Sequence, residues 1–124
     1  MGSMNGTPIT QAFVAESTIV QYTIVKAGSD DNEVDTCGND ERGIGIAMNG
    51  GVAGKTINVV TRGPAKVTAN AALATLNASF VSEASGYAGA ADANNQFCIG
   101  FTREVSSASG NIIVVDVDMH VYGA

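Results

Sequence analysis

Apolar and polar residues alternate along much of this chain, which is the pattern of β-strands that bury one face. The predicted strands cover residues 19–25, 44–48, 57–61, 65–69 and 113–121. We expect the third strand to stop at Gly63 and Pro64, because proline cannot donate to a strand ladder. Only residues 70–77, which are rich in Ala and Leu, favour a helical turn. The pattern therefore predicts an all-β fold with at most one short helix.

One sequence pattern occurs twice. An apolar–Gly–apolar triplet at residues 44–46 recurs at residues 99–101, 55 positions later. A polar turn follows each triplet, and each turn ends in a glycine, Gly54 or Gly110, that precedes a β-type run. The repetition indicates that the chain contains two similar β units.

Neither unit is large enough to bury an apolar face alone. We therefore predict that the units, at about residues 14–66 and 67–124, pack into one small barrel or sandwich. Gly45 and Gly100 are the central glycines of the two triplets and have no side chain. We expect another stretch of backbone to approach closely at both positions.

Residues 1–13 have no evident counterpart in the second half of the chain. We predict that they form an extended N-terminal arm ahead of a single domain at residues 14–124. Residues 1–3 resemble a remnant of an expression tag. Arms of this kind either add a strand to a neighbour's sheet edge or are disordered termini. In both cases the domain is expected to fold without the arm.

Composition and charge exclude some partners. Of the 124 residues, 15% are charged and the net charge is −6. Such a low charged fraction is unusual for the surface of a free monomer, so we expect a partner to cover part of it. The six basic residues are scattered in an acidic chain, which argues against nucleic-acid binding. No apolar stretch approaches the roughly 20 residues that span a bilayer, and no signal peptide is evident, so no membrane association is expected.

Few residues are candidates for chemistry. We expect Cys37 and Cys98 to be free thiols, because two cysteines without a secretory signal do not indicate a disulfide framework. His120 is the only histidine and has no second ligand at the spacing of a metal site. A nucleophile–base pair of Cys98 and His120 is less favoured than a buried, structural Cys98. The sequence predicts no metal and no cofactor.

Two groups of carboxylates are candidate sites. Residues 30–35 could offer oxygen ligands to calcium, but the glycine and distant glutamate of an EF-hand loop are missing, which favours a solvated turn. Asp116 and Asp118 share one face of the last strand and could form the acid–base pair of a hydrolase. Because no cleft-forming aromatic residues accompany them, a solvated strand face is favoured.

The order of elements resembles that of bacteriophage capsid decoration proteins, also called cement proteins, such as the lambda-type head protein D. The resemblance rests on the N-terminal arm and on three segments. These segments are residues 42–47, residues 57–63 after a Gly/Ala turn, and residues 97–102 with the closing β run. The resemblance covers the chain from about Phe13 onward.

This resemblance implies a small β-rich protein, often trimeric, at three-fold positions on the outside of an icosahedral head. Such a protein clamps adjacent subunits of the major capsid protein and has no catalytic residues. We therefore expect a homotrimer, made in the host cytoplasm and located on the capsid exterior of the virion. The capsid-binding residues expected on the arm are Thr7, Pro8, Ile9, Thr10, Gln11 and Phe13.

Two other functions are compatible with the sequence. A phage fibre or adhesin-like β domain that binds host glycans would need exposed aromatic residues, and the three tyrosines are dispersed. A small hydrolase would use Asp116 and Asp118. Because each candidate active site lacks a partner residue, we expect a protein that is not an enzyme.

Overall fold

The structure is a computed structural model that describes residues 7–70, 73, 75–93 and 95–123. Among the described residues, nine β-strands join into one continuous sheet. They are β1 (Ile9–Ala15), β2 (Ile24–Ala27), β3 (Glu33–Thr36), β4 (Gly45–Ala47), β5 (Thr56–Thr68), β6 (Ser79–Ser82), β7 (Ala88–Ala90), β8 (Phe97–Thr102) and β9 (Ile112–Val121). A short 3-10 turn, Ala84–Gly86, also lies among the described residues. The prediction of an all-β fold is therefore confirmed.

The first barrel consists of β1 to β4 and the N-terminal half of β5. Its strands pair in the order β1-β3-β2-β4-β5, and β1 also pairs with β5, so this part of the sheet closes on itself. Alternation along the strands points Val25, Ala47 and Val59 into the barrel, where they are fully buried. Phe13 of β1 packs against the same interior.

β5 continues beyond the first barrel, and its C-terminal half begins a second barrel. There β5 pairs with β9, which is followed in the sheet by β8, β6 and β7. One parallel bridge between Ala69 and Ala88 joins β7 back to the end of β5. It corresponds to the pair of Ala15 with Val34, which joins β1 to β3 in the first barrel. The two barrels therefore have the same strand order and share β5.

Backbone hydrogen bonds repeat between the barrels with a separation of 54 to 56 positions. The amide of Gly54 donates to the carbonyl of Ala15 at 2.9 Å, and the amide of Gly110 donates to the carbonyl of Ala69 at 2.8 Å. Gly54 and Gly110 have φ angles of 90° and 93°, a left-handed conformation that favours glycine. The repeated residue pattern in the sequence thus corresponds to repeated local geometry.

The structure differs from the expectation of a separate N-terminal arm. Residues 9–13 belong to β1, which pairs with residues 56–62 of β5. The expected boundary after residue 13 therefore lies inside a barrel strand, and removing the arm would open the first barrel. The counterpart of β1 in the second barrel is residues 63–68 of β5. Residues 1–6, which include the proposed tag remnant, lie outside the described residues.

Two predicted strands have different boundaries in the structure. β5 does not stop at Gly63 and Pro64, because Gly63 adopts a φ of 99° that carries the strand from one barrel into the next. The run over residues 19–25 is interrupted at Tyr22, which has a φ of 64°, so only its end belongs to β2. A positive φ at tyrosine is uncommon, and no residue pattern around Tyr22 predicts it.

Three short strands, β3, β6 and β7, were not predicted. Each has only three or four residues, too few for alternation to be recognised. The predicted helical turn at residues 70–77 includes residues 71, 72 and 74, which lie outside the described residues. Within that segment, Leu73 forms a β-bridge with Ser106.

The expected close backbone approach at the two triplet glycines is confirmed. A Cβ atom at Gly45 would overlap the carbonyl oxygen of Val60 on β5. A Cβ atom at Gly100 would overlap the carbonyl oxygen of Asp116 on β9. Glycine at these positions allows β4 and β8 to bend tightly onto their partner strands.

We expect Gly100→Ala to lower the free energy of unfolding by about 2 kcal/mol or more, because the new methyl group collides with backbone that cannot move aside. Gly123→Ala is the control, since a Cβ atom there meets no atom within 4 Å. Denaturant unfolding of both variants measures the difference. Equal stability of the two variants would contradict the close approach of β8 and β9.

Candidate interaction surfaces

The outer face of the first barrel forms its contact with the second barrel. Ile24, Ile46 and Val60 are cross-strand neighbours on β2, β4 and β5. Their side chains point away from the interior of the first barrel and are at most 1% exposed, in one buried cluster with residues of the second barrel. We call these three residues the inner row. Because the inner row is apolar, it extends the hydrophobic core of the second barrel, whereas the interior of the first barrel forms a separate cluster.

The inner row covers the side of the second barrel where β5 and β7 meet. The amide of Thr68 in β5 donates to the carbonyl of Tyr22 at 2.9 Å. Gly86, which precedes β7, packs so closely on Ile24 that a Cβ atom there would lie 2.6 Å from the Ile24 carbonyl oxygen. A backbone hydrogen bond and apolar burial thus hold the two barrels in one arrangement.

The second barrel carries an equivalent row on β6, β8 and β9. Ser79 pairs with Phe101, and Phe101 pairs with Asp116, in the same register as the inner row. We call these three residues the outer row, because each of them is partly exposed. The three positions that are apolar and buried in the first barrel are therefore more polar and more accessible in the second barrel.

A network of contacts orders the outer row. Phe101 stacks on His120, with ring centroids 4.5 Å apart and ring planes inclined by 6°. The Nε2 atom of His120 lies 2.9 Å from the Ser79 hydroxyl, and its Nδ1 atom lies 2.7 Å from the carbonyl oxygen of Asp118. These contacts fix both rings, so a partner that binds here would not have to order them.

The structure gives Asp116 a role on this surface that the hydrolase hypothesis did not include. The Nε atom of Arg103 donates to the Asp116 carboxylate at 2.6 Å, and Arg103 also donates to the side chain of Asn77. The Asp116 carboxylate is thus engaged in an ion pair, whereas Asp118 is exposed. This arrangement orders the surface around Asp116.

Sequence reasoning considered Cys98 as the partner of His120 and missed Ser79. Cys98 is 1% exposed, and burial raises the pKa of its thiol, which makes it a poor nucleophile. Ser79 and His120 lie on β6 and β9, on either side of β8. Only the register of these three strands brings them together, so no spacing in the sequence could reveal the contact.

The predicted capsid-binding residues lie at the start of β1 and just ahead of it. Those that are exposed are Thr7, Pro8, Ile9, Thr10 and Gln11, whereas Phe13 is half-buried. Ile9 is 56% exposed, although it is a large apolar residue. Thr7 and Ile9 share a shallow pocket of about 380 Å³ with Asp116 and Asp118. The start of β1 and the edge of the outer row therefore form one continuous surface.

A second exposed apolar patch lies where β8 begins and β9 ends. Phe97, Met119 and Val121 are 40%, 38% and 54% exposed. The guanidinium carbon of Arg42 lies 5.5 Å from the centroid of the Phe97 ring, which is within the range of a cation–π interaction. The patch therefore combines apolar side chains with one basic group contributed by the first barrel.

The acidic residues at 30–35 are divided between a turn and β3. The hydroxyl of Ser17 donates to the carboxylate of Asp35, which fixes one of these acidic side chains.

Beyond this segment, Lys26 and Glu41 form an exposed ion pair at 3.0 Å. Their hydrogen bond raises the pKa of Lys26 and lowers the pKa of Glu41.

Several other expectations concern sites rather than surfaces. Cys37 and Cys98 are both free and buried, and burial raises the pKa of the Cys37 thiol. Within the part of the chain that the structure describes, no three His, Cys, Asp or Glu residues gather as metal ligands would. None of the described residues form a helix long and apolar enough to cross a membrane.

Comparison with known proteins identifies a shared fold. No protein-family model matches this chain, and no curated protein matches it. The crystal structure of the head fiber gp8.5 N base in bacteriophage phi29 is similar to it, with a TM-score of 0.73 and 15% sequence identity. The similarity covers 90% of this chain and 95% of that chain. The two chains therefore share their fold over nearly their whole lengths.

We expect Asp116→Asn to lower the free energy of unfolding by about 1–2 kcal/mol, because it leaves the partly buried Arg103 guanidinium without its counter-charge. Asp118→Asn, on the same face of β9, should change stability by less than about 0.5 kcal/mol, as exposed substitutions usually do. Urea unfolding at neutral pH checks both values. A greater loss for Asp118→Asn would show that the ion pair does not order this surface.

Proposed function

We propose that this protein is a structural component of a bacteriophage virion. It binds the outside of the assembled head and stabilises the contacts between subunits of the major capsid protein. The observation that carries this proposal is the fold shared with the base of a phage head fibre over 90% of this chain. In this function the protein has no catalytic role.

The chemistry of the surface supports a binding role. Only 15% of the residues are charged, and large apolar side chains such as Ile9 and Val121 are more than half exposed. The contiguous apolar patch of Phe97, Met119 and Val121 is a type of surface that marks contact with another macromolecule more often than it occurs on a free monomer. The pocket beside Ile9 and the patch around Phe97 are shallow, which fits a protein partner better than a small ligand.

A protein of this kind stabilises a head by linkage. Because it binds the assembled lattice more tightly than separate subunits, its binding energy opposes disassembly. We propose that it acts as a homotrimer, since three linked copies convert weak individual contacts into strong binding. The homotrimer is located on the exterior of the capsid and is made in the host cytoplasm.

The start of β1 is the proposed contact with the capsid. Residues 7–11 are exposed, and the described members of this segment carry no charge. Residues Thr10 to Ala12 pair only with β5, because β3 reaches β1 only at Val14 and Ala15. An uncharged strand with an open edge and an apolar tip at Ile9 is suited to pair with an extended segment of the capsid protein.

A fibre component that binds host glycans is the second candidate. It is favoured by the shared fold with the phi29 protein, which is part of a head fiber. Glycan sites use exposed aromatic faces. Here Tyr22, Tyr87 and Tyr122 are only partly exposed, and the exposed ring of Phe97 has the guanidinium of Arg42 over one face. The capsid-binding function is therefore the one that we propose.

We expect Ile9→Asp to weaken binding to expanded phage heads by about tenfold or more, because it places a charge in an apolar contact. Val20→Asp is the matched control, since Val20 is 60% exposed in the loop between β1 and β2. Cosedimentation with heads measures binding, and circular dichroism confirms that both variants are folded.

If the two variants and the unmodified chain bind heads equally, β1 is not the contact. If the unmodified chain does not bind heads but gives reproducible signals on a glycan array, the second candidate function replaces the first.

A further inference from the structure

We propose that this chain self-associates head to tail, with the outer row of one copy packed against the β1–β3 side of the first barrel in the next copy. By the β1–β3 side we mean Val14, Ala27 and Asn32. The proposal deepens the proposed function, because it names the contact that would hold the homotrimer together. It rests on the contact that the two barrels make within one chain.

The contact within the chain joins two unlike surfaces. One is the inner row of the first barrel, and the other is the β5–β7 side of the second barrel, at Thr68, Ser82 and Gly86. The amide of Asp40 donates to the carbonyl of Ser82 at 2.9 Å across this contact. Ser82 and Gly86 are buried.

Each of these surfaces has an equivalent that the chain leaves accessible. The outer row is equivalent to the inner row by register. The equivalents of Thr68, Ser82 and Gly86 in the first barrel are Val14, Ala27 and Asn32, by the same strand pairings. Val14 is 39% exposed, and Ala27 and Asn32 are also exposed. A second copy can therefore bring the same two faces together through side chains. The backbone hydrogen bond of the internal contact is not repeated, because the amide of Val14, equivalent to that of Thr68, donates to the carbonyl of Asn32 at 2.8 Å.

The chemistry of the two accessible surfaces is complementary. The turn before β3 contains Asp30 and Asp31, at the place that small residues take before β7. In the repeated contact this acidic turn would face Ser79, as the turn before β7 faces Ile24. Ser79 is bonded to His120, so a hydroxyl and an imidazole would meet the acidic turn. With His120 as an imidazolium, Nδ1 donates to the Asp118 carbonyl oxygen and Nε2 donates to Ser79, which leaves the Ser79 hydroxyl proton for a carboxylate of the acidic turn.

A contact between unlike surfaces has consequences for symmetry. Such contacts form rings when the rotation between copies closes, and open filaments when it does not. A ring of three chains would satisfy every outer row and every β1–β3 side. It would leave the Phe97 patch, which belongs to neither surface, free for another partner.

A designed disulfide tests the geometry. In the internal contact, a Cβ atom at Gly86 would lie 3.1 Å from the Cβ atom of Thr23, close to the separation of about 3.8 Å in a disulfide. The equivalent positions are Asn32 and Ala78. We expect a chain with Asn32→Cys and Ala78→Cys to form reducible species of two and three chain masses on a non-reducing gel.

The control pair is Asn32→Cys with Ala108→Cys, which places the second thiol in an exposed turn before β9. The native thiols are buried and should not compete. Cross-linking that is no greater than in the control pair would overturn the proposal.

Light scattering provides a second measurement that needs no cross-link. Val14→Lys should shift the mass of the protein from trimer to monomer, whereas Val52→Lys, at a residue 57% exposed in a loop, should leave the trimer intact. A chain that is monomeric at every concentration, or a trimer that Val14→Lys does not affect, would contradict the head-to-tail contact.

These outcomes are separable from those of the proposed function. Binding to heads without cross-linking would contradict the head-to-tail contact and leave the capsid function in place. Cross-linking without binding to heads would contradict the capsid function and leave the head-to-tail contact in place.

Discussion

The structure depends on one strand that two barrels share. β5 closes the first barrel with its N-terminal half and opens the second with its C-terminal half. Because the strand is continuous, the inner row lies against the second barrel. Burial of Ile24, Ile46 and Val60 there enlarges the core of the second barrel beside the separate interior of the first. Gly63 is the pivot of this arrangement, since its positive φ lets β5 change partners without ending.

The duplication also accounts for the surface. Two barrels of the same design, joined head to tail, bury one copy of each contact face and leave the other copy exposed. The exposed copies carry different residues from the buried ones: Ser79, Phe101 and Asp116 take the places of three aliphatic side chains. Together with the uncharged start of β1, this surface has the character of a binding protein, which supports the role on a phage head that we propose from the shared fold.

The sequence predicted those parts of the fold that local chemistry determines. The alternating residues of β9 predict a strand without reference to the rest of the fold. Glycine at positions 45, 54, 100 and 110 likewise indicates a close backbone approach or a turn. The counterpart of β1 was missed because residues 9–14 and 63–68 have no identical residue at equivalent positions. The contact between Ser79 and His120 could not be predicted, since it depends on a register that only the folded sheet sets.

The central claim is that this chain binds the assembled head. The most direct measurement is to saturate expanded phage heads with the purified protein and to count the bound copies, with unassembled major capsid protein as the comparison. We predict saturation at one trimer for each three-fold position of the lattice and much weaker binding to the unassembled subunits. Equal affinity for assembled and unassembled capsid protein, or no saturable binding to heads, would contradict the account.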